Sequence, residues 1–230
     1  MRRYTLEDFK TFEKDEYGVL ICPQGDYTSL KNIPARCSFG EWCSFGEGCS
    51  FGEGCSFGER CSFGEGCSFG KRCSFGERCS FGEGCSFGEW CSFGEECSFG
   101  GWCSFGKRCS FGEWCSFGEG CSFGERCSFG EWCSFGERCS FGKRCECEFG
   151  KFQKMLSAGG FGREGRTTYF FRCTDGIYVR CGCFAGTLDE WAERVQKTHR
   201  DSVYGRGYLA LIPAVKIMME GEKEHEEKGV

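Results

Sequence analysis

Between residues 37 and 142 the chain places an apolar residue at two fixed positions in every six. The unit is Cys-Ser-Phe-Gly, a residue that is usually Glu, and one free position; it occurs eighteen times, the last copy opening at Cys139. Read from the free position, each hexad alternates out, in, out, in, the period of two that marks a β-strand. Gly is then expected at a corner, where the missing Cβ eases the turn, with Glu beside it in water. On this reading Cys and Phe fill an interior, while Ser and the free residue line flat outer faces. So short a period predicts a β-solenoid, each coil burying its apolar side by stacking on the next.

The free residues bear on how many hexads close a coil. Three Lys-Arg pairs, Lys71-Arg72, Lys107-Arg108 and Lys143-Arg144, recur every 36 residues, so the array reads as three duplications. That spacing fits coils of 12 or of 18. Sorted by 18, one column collects four of the five Gly at this position, Gly48, Gly66, Gly84 and Gly120. A second is rich in Arg (Arg36, Arg72, Arg108, Arg126, Arg144), and a third holds Trp42, Trp114 and Trp132. Sorted by 12, four of the five Trp fall together instead. We favour 18: a triangular coil with three unlike faces, and about six coils.

Three segments follow. Residues 1–36 are expected to form a cap, with a short helix near Leu6–Phe12 and a strand in GVLIC, and a degenerate first coil in which Tyr27 and Ile33 keep the Phe register. The array spans 37–150 and ends at CECEFG, where the register slips by two. Residues 151–230 read as a small α/β module. GGFGREGR is a connector, and TTYFFRCTDGIYVRC a hairpin turning at Asp175-Gly176. Thr187 and Glu190 form a capping box for a helix reaching about His199. A second helix starts near Asp201, with Tyr204, Tyr208, Val215 and Met219 on one face and a kink expected at Pro213. The charged tail from Glu220 is expected to fray.

The hexad Phe-Gly-Glu-x-Cys-Ser resembles the hexapeptide repeat of left-handed β-helix proteins. Phe39, Gly40 and Cys43 carry the likeness in the first copy, and the same slots do so through Phe141. Phe stands where that family has Leu, Ile or Val, and Cys where it has a small residue. The resemblance implies a mainly β, left-handed triangular prism, against the usual right-handed crossover preference, with coils stacked at about 4.8 Å. Its best-known activity is acyl transfer by trimers with a catalytic His at the subunit boundary. His199 and His225 both lie outside the array, and no loop interrupts it to wall a pocket. A zinc carbonic-anhydrase site of three His fails on the same count. Residues 167–199 resemble a module of uncharacterised phage and prophage proteins, which implies no activity.

Composition adds limits. The N-terminus lacks the apolar core of a secretory signal, and no stretch is long and apolar enough for a membrane span. A cytoplasmic protein with reduced thiols is expected. With 34 acidic and 29 basic residues, the net charge of −5 argues against a nucleic-acid partner. Glu follows fourteen of the eighteen copies, which reads as solvation and protection of a regular sheet.

The repeat cysteines read as small buried side chains. Thiol columns suit Cu(I), Zn or iron–sulfur species, but metal sites are closed sets of ligands and no His cluster accompanies these. Outside the array the metal candidates are Cys173, Cys181 and Cys183, although hairpin geometry turns Cys173 to the opposite face. No cofactor and no catalytic residue are expected. The resulting expectation is a non-catalytic structural or protein-binding solenoid. Outward Trp42, Trp90, Trp102, Trp114 and Trp132 would recognise a protein partner or a second copy in a homo-oligomer. At Gly48, Gly66 and Gly84 another surface can approach the backbone closely. A metal- or thiol-storing array is the alternative, and an acyltransferase-like enzyme the third.

Overall fold

The structure, a computed structural model, describes residues 1–161 and 165–220. The chain divides after Glu148 into two compact units.

In the first unit each hexad contributes a two-residue Ser-Phe strand. Ser80 pairs in parallel with Ser98, and Phe81 with Phe99, a register of 18 that removes the 12-residue alternative. Three parallel faces result. One runs from Leu20–Cys22 through Cys37–Phe39 to Cys145–Cys147, a seven-stranded one from Asn32–Ile33 to Ser140–Phe141, and a six-stranded one from Ser44–Phe45 to Ser134–Phe135. The solenoid makes about seven turns, because the degenerate residues before Cys37 complete a coil. Leu20 pairs with Cys37 and Ile33 with Phe51, while the Tyr27 ring stacks on Phe45 at 5.3 Å.

Backbone hydrogen bonds explain why so short a strand persists. Ser80 N–H donates to the Cys61 carbonyl and Gly82 N–H to the Phe63 carbonyl, each at 2.9 Å and each to the preceding coil. Gly84 N–H donates forward to the Gly101 carbonyl at 2.9 Å. Corners and faces are therefore both tied.

The corner differs from the expectation. Glu and the free residue make the turn, and it is the free residue that takes the left-handed conformation, with φ from +56° at Glu96 to +68° at Gly54. It stands on the edge of the prism, so only Ser faces outward from the flat sides. The Gly of Cys-Ser-Phe-Gly has a different reason to be Gly. A Cβ on Gly82 would lie 2.6 Å from the Glu65 nitrogen and 2.8 Å from the Gly64 carbonyl carbon, both in the coil beneath.

Inside, the Phe rings form three ladders packed against one another. Phe81 stacks on Phe63 and Phe99 at 4.8 Å with planes within 3°. It meets Phe75 and Phe87 edge-on at 5.0 and 5.1 Å. Offset stacks and T-shaped contacts are the two arrangements that the ring quadrupole favours, each adding about 1 kcal/mol beyond burial. An aromatic cap closes the N-terminal end: Tyr4 stacks on Tyr27 at 5.0 Å, and Phe9, from the 3-10 turn Asp8–Lys10, approaches Phe39 at 6.3 Å.

In the second unit a strand at Gly150–Phe161 pairs antiparallel with Arg166–Cys173, which pairs with Ile177–Cys181 and that with Phe184–Thr187. Helices α1 (Leu188–His199) and α2 (Val203–Glu220) pack with this sheet around Phe170, Val179, Trp191, Tyr208 and Val215. The hairpin and the Thr187–Glu190 capping box stand where the sequence placed them. The expected connector differs: Gly159–Phe161 finish a strand, and residues 162–164 lie outside the described residues. Pro213 sits within α2, which continues past it, and Tyr204 is exposed while Tyr208, Val215 and Met219 are buried. The charged tail beyond Glu220, including His225, lies outside the described residues. No helix among the described residues is long and apolar enough to cross a membrane.

Candidate interaction surface

The 18-residue register lines the turn residues into three corners of unlike chemistry. On the corner running from Arg36 to Arg144, eight basic residues stand against three acidic ones, Glu53, Glu89 and Glu125. All three Lys-Arg pairs fall here, because 36 residues are two whole coils. The corner from Trp42 to Trp132 carries seven Glu against Arg60 and Arg78. The corner from Gly48 to Arg138 carries five Glu and one Arg. Charge that nearly cancels over the chain is thus segregated by edge.

Side-chain contacts along the corners join residues 18 apart. Arg60 lies over the Trp42 ring at 4.8 Å, and Arg108 over Trp90 at 4.4 Å. Trp114 stacks on Trp132 at 5.4 Å, and Arg78 makes a two-point contact with Glu96, both bonds 2.9 Å. Lys71–Glu89 and Lys107–Glu125 pair at 3.2 and 3.6 Å with all four side chains in water, where such pairs contribute little. Among the described residues the arginines of this corner have no carboxylate partner. Trp42, Trp90, Trp102 and Trp114 are about half exposed, as expected, while Trp132 is less so under its stack. The Trp102 ring lies against Gly120, where a Cβ would meet it at 2.6 Å. Around Gly48, Gly66 and Gly84 the space a Cβ would enter is open.

The array cysteines have a role that the sequence did not show. Each thiol from Cys55 to Cys145 donates to a carbonyl of the coil beneath; Cys79 bonds the Gly58 carbonyl at 3.4 Å. That carbonyl belongs to the close-approach Gly, so the small side chain both fills space and satisfies a corner oxygen. The neighbouring Cys61 sulfur and burial push the Cys43 thiol above its ordinary value; the neighbouring Cys127 sulfur and burial do the same at Cys145. In the second unit Cys181 and Cys183 line a cleft of about 180 Å³ with His199, whereas Cys173 is buried and is not among the lining residues. Thr168 donates to the Cys181 sulfur at 3.1 Å. Among the described residues no three His, Cys, Asp or Glu are grouped so as to hold a metal ion.

Comparison with known proteins gives a family match. The family of RNA-binding, Nab2-type zinc fingers matches residues 21–46, 67–82, 79–100 and 96–118, less than half of the chain. No curated protein and no solved structure matches. Fingers of this class hold zinc with three Cys and one His. The matched segments contain no His, and their cysteines are buried in evenly spaced columns, so these residues do not fit a zinc site. The match nevertheless points to RNA and overturns the expectation that nucleic acid is not a partner. That expectation rested on net charge, which averages over corners of opposite sign.

Proposed function

We propose that this chain is a non-catalytic binding solenoid that recognises its partner through the outward residues of its corners. One observation carries the reading. Fourteen side chains of the array, Trp, Arg and one Glu, hold a left-handed φ that Gly adopts freely. Each costs about 1 kcal/mol in that conformation, offset by the stiffer unfolded chain, and their contacts run along the exposed corners, so the core does not require them. Gly occupies the same position five times without disturbing the coil. Retaining side chains against that preference is what a recognition surface requires.

For a second copy as partner, the test is sedimentation velocity on the chain and on a Trp42→Gly/Trp114→Gly/Trp132→Gly variant. The expected result is loss of association with the fold intact and stability lowered by no more than about 2 kcal/mol, for the lost Trp114–Trp132 stack and Arg60–Trp42 contact. Unchanged association, or a collapse of the fold, would sink the reading. A nucleic-acid partner is the second reading, favoured by the RNA-binding family match.

A further inference from the structure

We infer that the Arg36–Arg144 corner is a docking track for single-stranded nucleic acid, phosphates seated on its arginines and bases stacked on Trp90 and Tyr17. The inference rests on the reading of the chain as a binding solenoid and assigns the edge and the ligand chemistry.

Three observations converge on this corner. The first is charge: five arginines and three lysines stand on one line about 29 Å long, at the inter-strand spacing of about 4.8 Å per coil. The second is shape. Two clefts open along the same line, one of about 440 Å³ lined by Tyr17, Val19, Arg36, Glu53, Gly54 and Arg72. The other, about 350 Å³, is lined by Glu89, Trp90, Lys107, Arg108, Glu125 and Arg126. Gly54 is the only Gly among the free residues of this corner, and the gap it leaves opens the first cleft between Arg36 and Arg72. The third is aromatic surface inside the basic track. Tyr17 is 75% exposed and Trp90 50% exposed, with the Arg108 guanidinium set over the Trp90 ring.

A basic groove interrupted by exposed rings is how sequence-tolerant single-strand binders work: cations follow the backbone while unstacked bases lie on aromatic faces. A duplex keeps its bases stacked and offers the rings nothing. The two acidic corners repel a polyanion, which leaves this edge as its path along the solenoid. The acidic corner of a second copy shares the coil spacing and is the rival occupant, separated by the test below.

The experiment is fluorescence anisotropy of a labelled oligouridylate of about 15 nucleotides with the full chain, between about 50 and 200 mM salt. The plot of log K against log salt should have a slope of about −3, reflecting four to five phosphates at about −0.7 each. Arg72→Gly/Arg108→Gly/Arg126→Gly should move the slope to about −1 and weaken binding by roughly a hundredfold at low salt. The backbone there, at φ of 59° to 60°, suits Gly, and a matching Gln set keeps the test valid if the Gly set loses its fold. Trp90→Gly should weaken binding about tenfold and leave the slope unchanged. Arg60→Gly/Arg78→Gly, on another corner, should change affinity less than about twofold. Single-stranded DNA of the same length tests whether the 2′-hydroxyl contributes.

Salt-independent binding, or equal loss from the Arg60/Arg78 variant, overturns the inference. If RNA does not bind but the Arg72/Arg108/Arg126 variant dissociates a self-associated species, the edge is a protein interface; this inference fails and the binding-solenoid reading stands. If neither RNA binding nor association is seen, both fail.

Discussion

Gly82 and Gly84 flank Glu83 in one turn, yet for opposite reasons, and changing each to Ala separates them. At Gly82 the added Cβ would stand 2.6 Å from the Glu65 nitrogen, about 1 Å inside an ordinary contact. The obstacle is backbone, so the coils themselves must part. Overpacking of this kind costs about 1 to 3 kcal/mol, and parting strains the Gly82 N–H bond to the Phe63 carbonyl, worth about 1 kcal/mol more. A loss near 3 kcal/mol follows. At Gly84 φ is +66° and the Cβ would meet nothing within 4 Å. Left-handed Ala costs about 1 kcal/mol, and the stiffer unfolded chain returns about 0.4 to 1. The net change is close to zero. Thermal unfolding followed by far-UV circular dichroism reads the difference: about 6 to 12 °C lower for Gly82→Ala, against about 3 °C or less for Gly84→Ala. Equal losses, or a larger one at Gly84, would show that the left-handed turn, not the close approach, limits the coil.

Cys79→Ser should be tolerated better than Cys79→Ala, because a hydroxyl still donates to the Gly58 carbonyl whereas Ala leaves that oxygen unpaired at about 1 to 3 kcal/mol; urea midpoints give the order. The folded state raises the Cys43 and Cys145 thiols above their ordinary value, so their contribution to stability is full below pH about 8.5. It falls at higher pH as the unfolded chain's thiols ionise, so the difference in denaturation midpoint between the chain and its Cys43→Ala/Cys145→Ala variant should shrink between pH 7 and 10. In native protein a thiol reagent should react first at exposed Cys183, and at the array cysteines only after unfolding. Thr187→Ala removes the hydroxyl that accepts from the Glu190 N–H, leaving the backbone bond to the Glu190 carboxylate in place, and should destabilise the second unit by about 1 kcal/mol, read by hydrogen exchange in α1.

The coil was legible because in–out alternation is imposed by burial, and Cys and Phe report burial directly. The corner was not, since Gly in a repeat reads as a turn residue whether it turns or merely lets a neighbour approach. A signal existed: the position that admits Gly, Trp, Arg and Glu alike is the one whose side chain stands free. Charge segregation was also present in the Lys-Arg pairs, but it appears only once residues are sorted by coil and not summed. The strand Gly150–Phe161 had no such handle. Its sequence contains Gly159-Gly160 and lacks alternation, and it takes its form from pairing with Arg166–Cys173.

The coincidence of 36 residues with two full turns also governs how such an array can change. Gain or loss of one duplication unit leaves every remaining coil in phase, since no corner rotates relative to another. Each added unit would extend the basic edge by one Lys-Arg pair in line with the others, and each deletion would shorten it by one. Array length can therefore vary through unequal recombination while the core stays unchanged, and the reach of that edge becomes heritable in fixed steps.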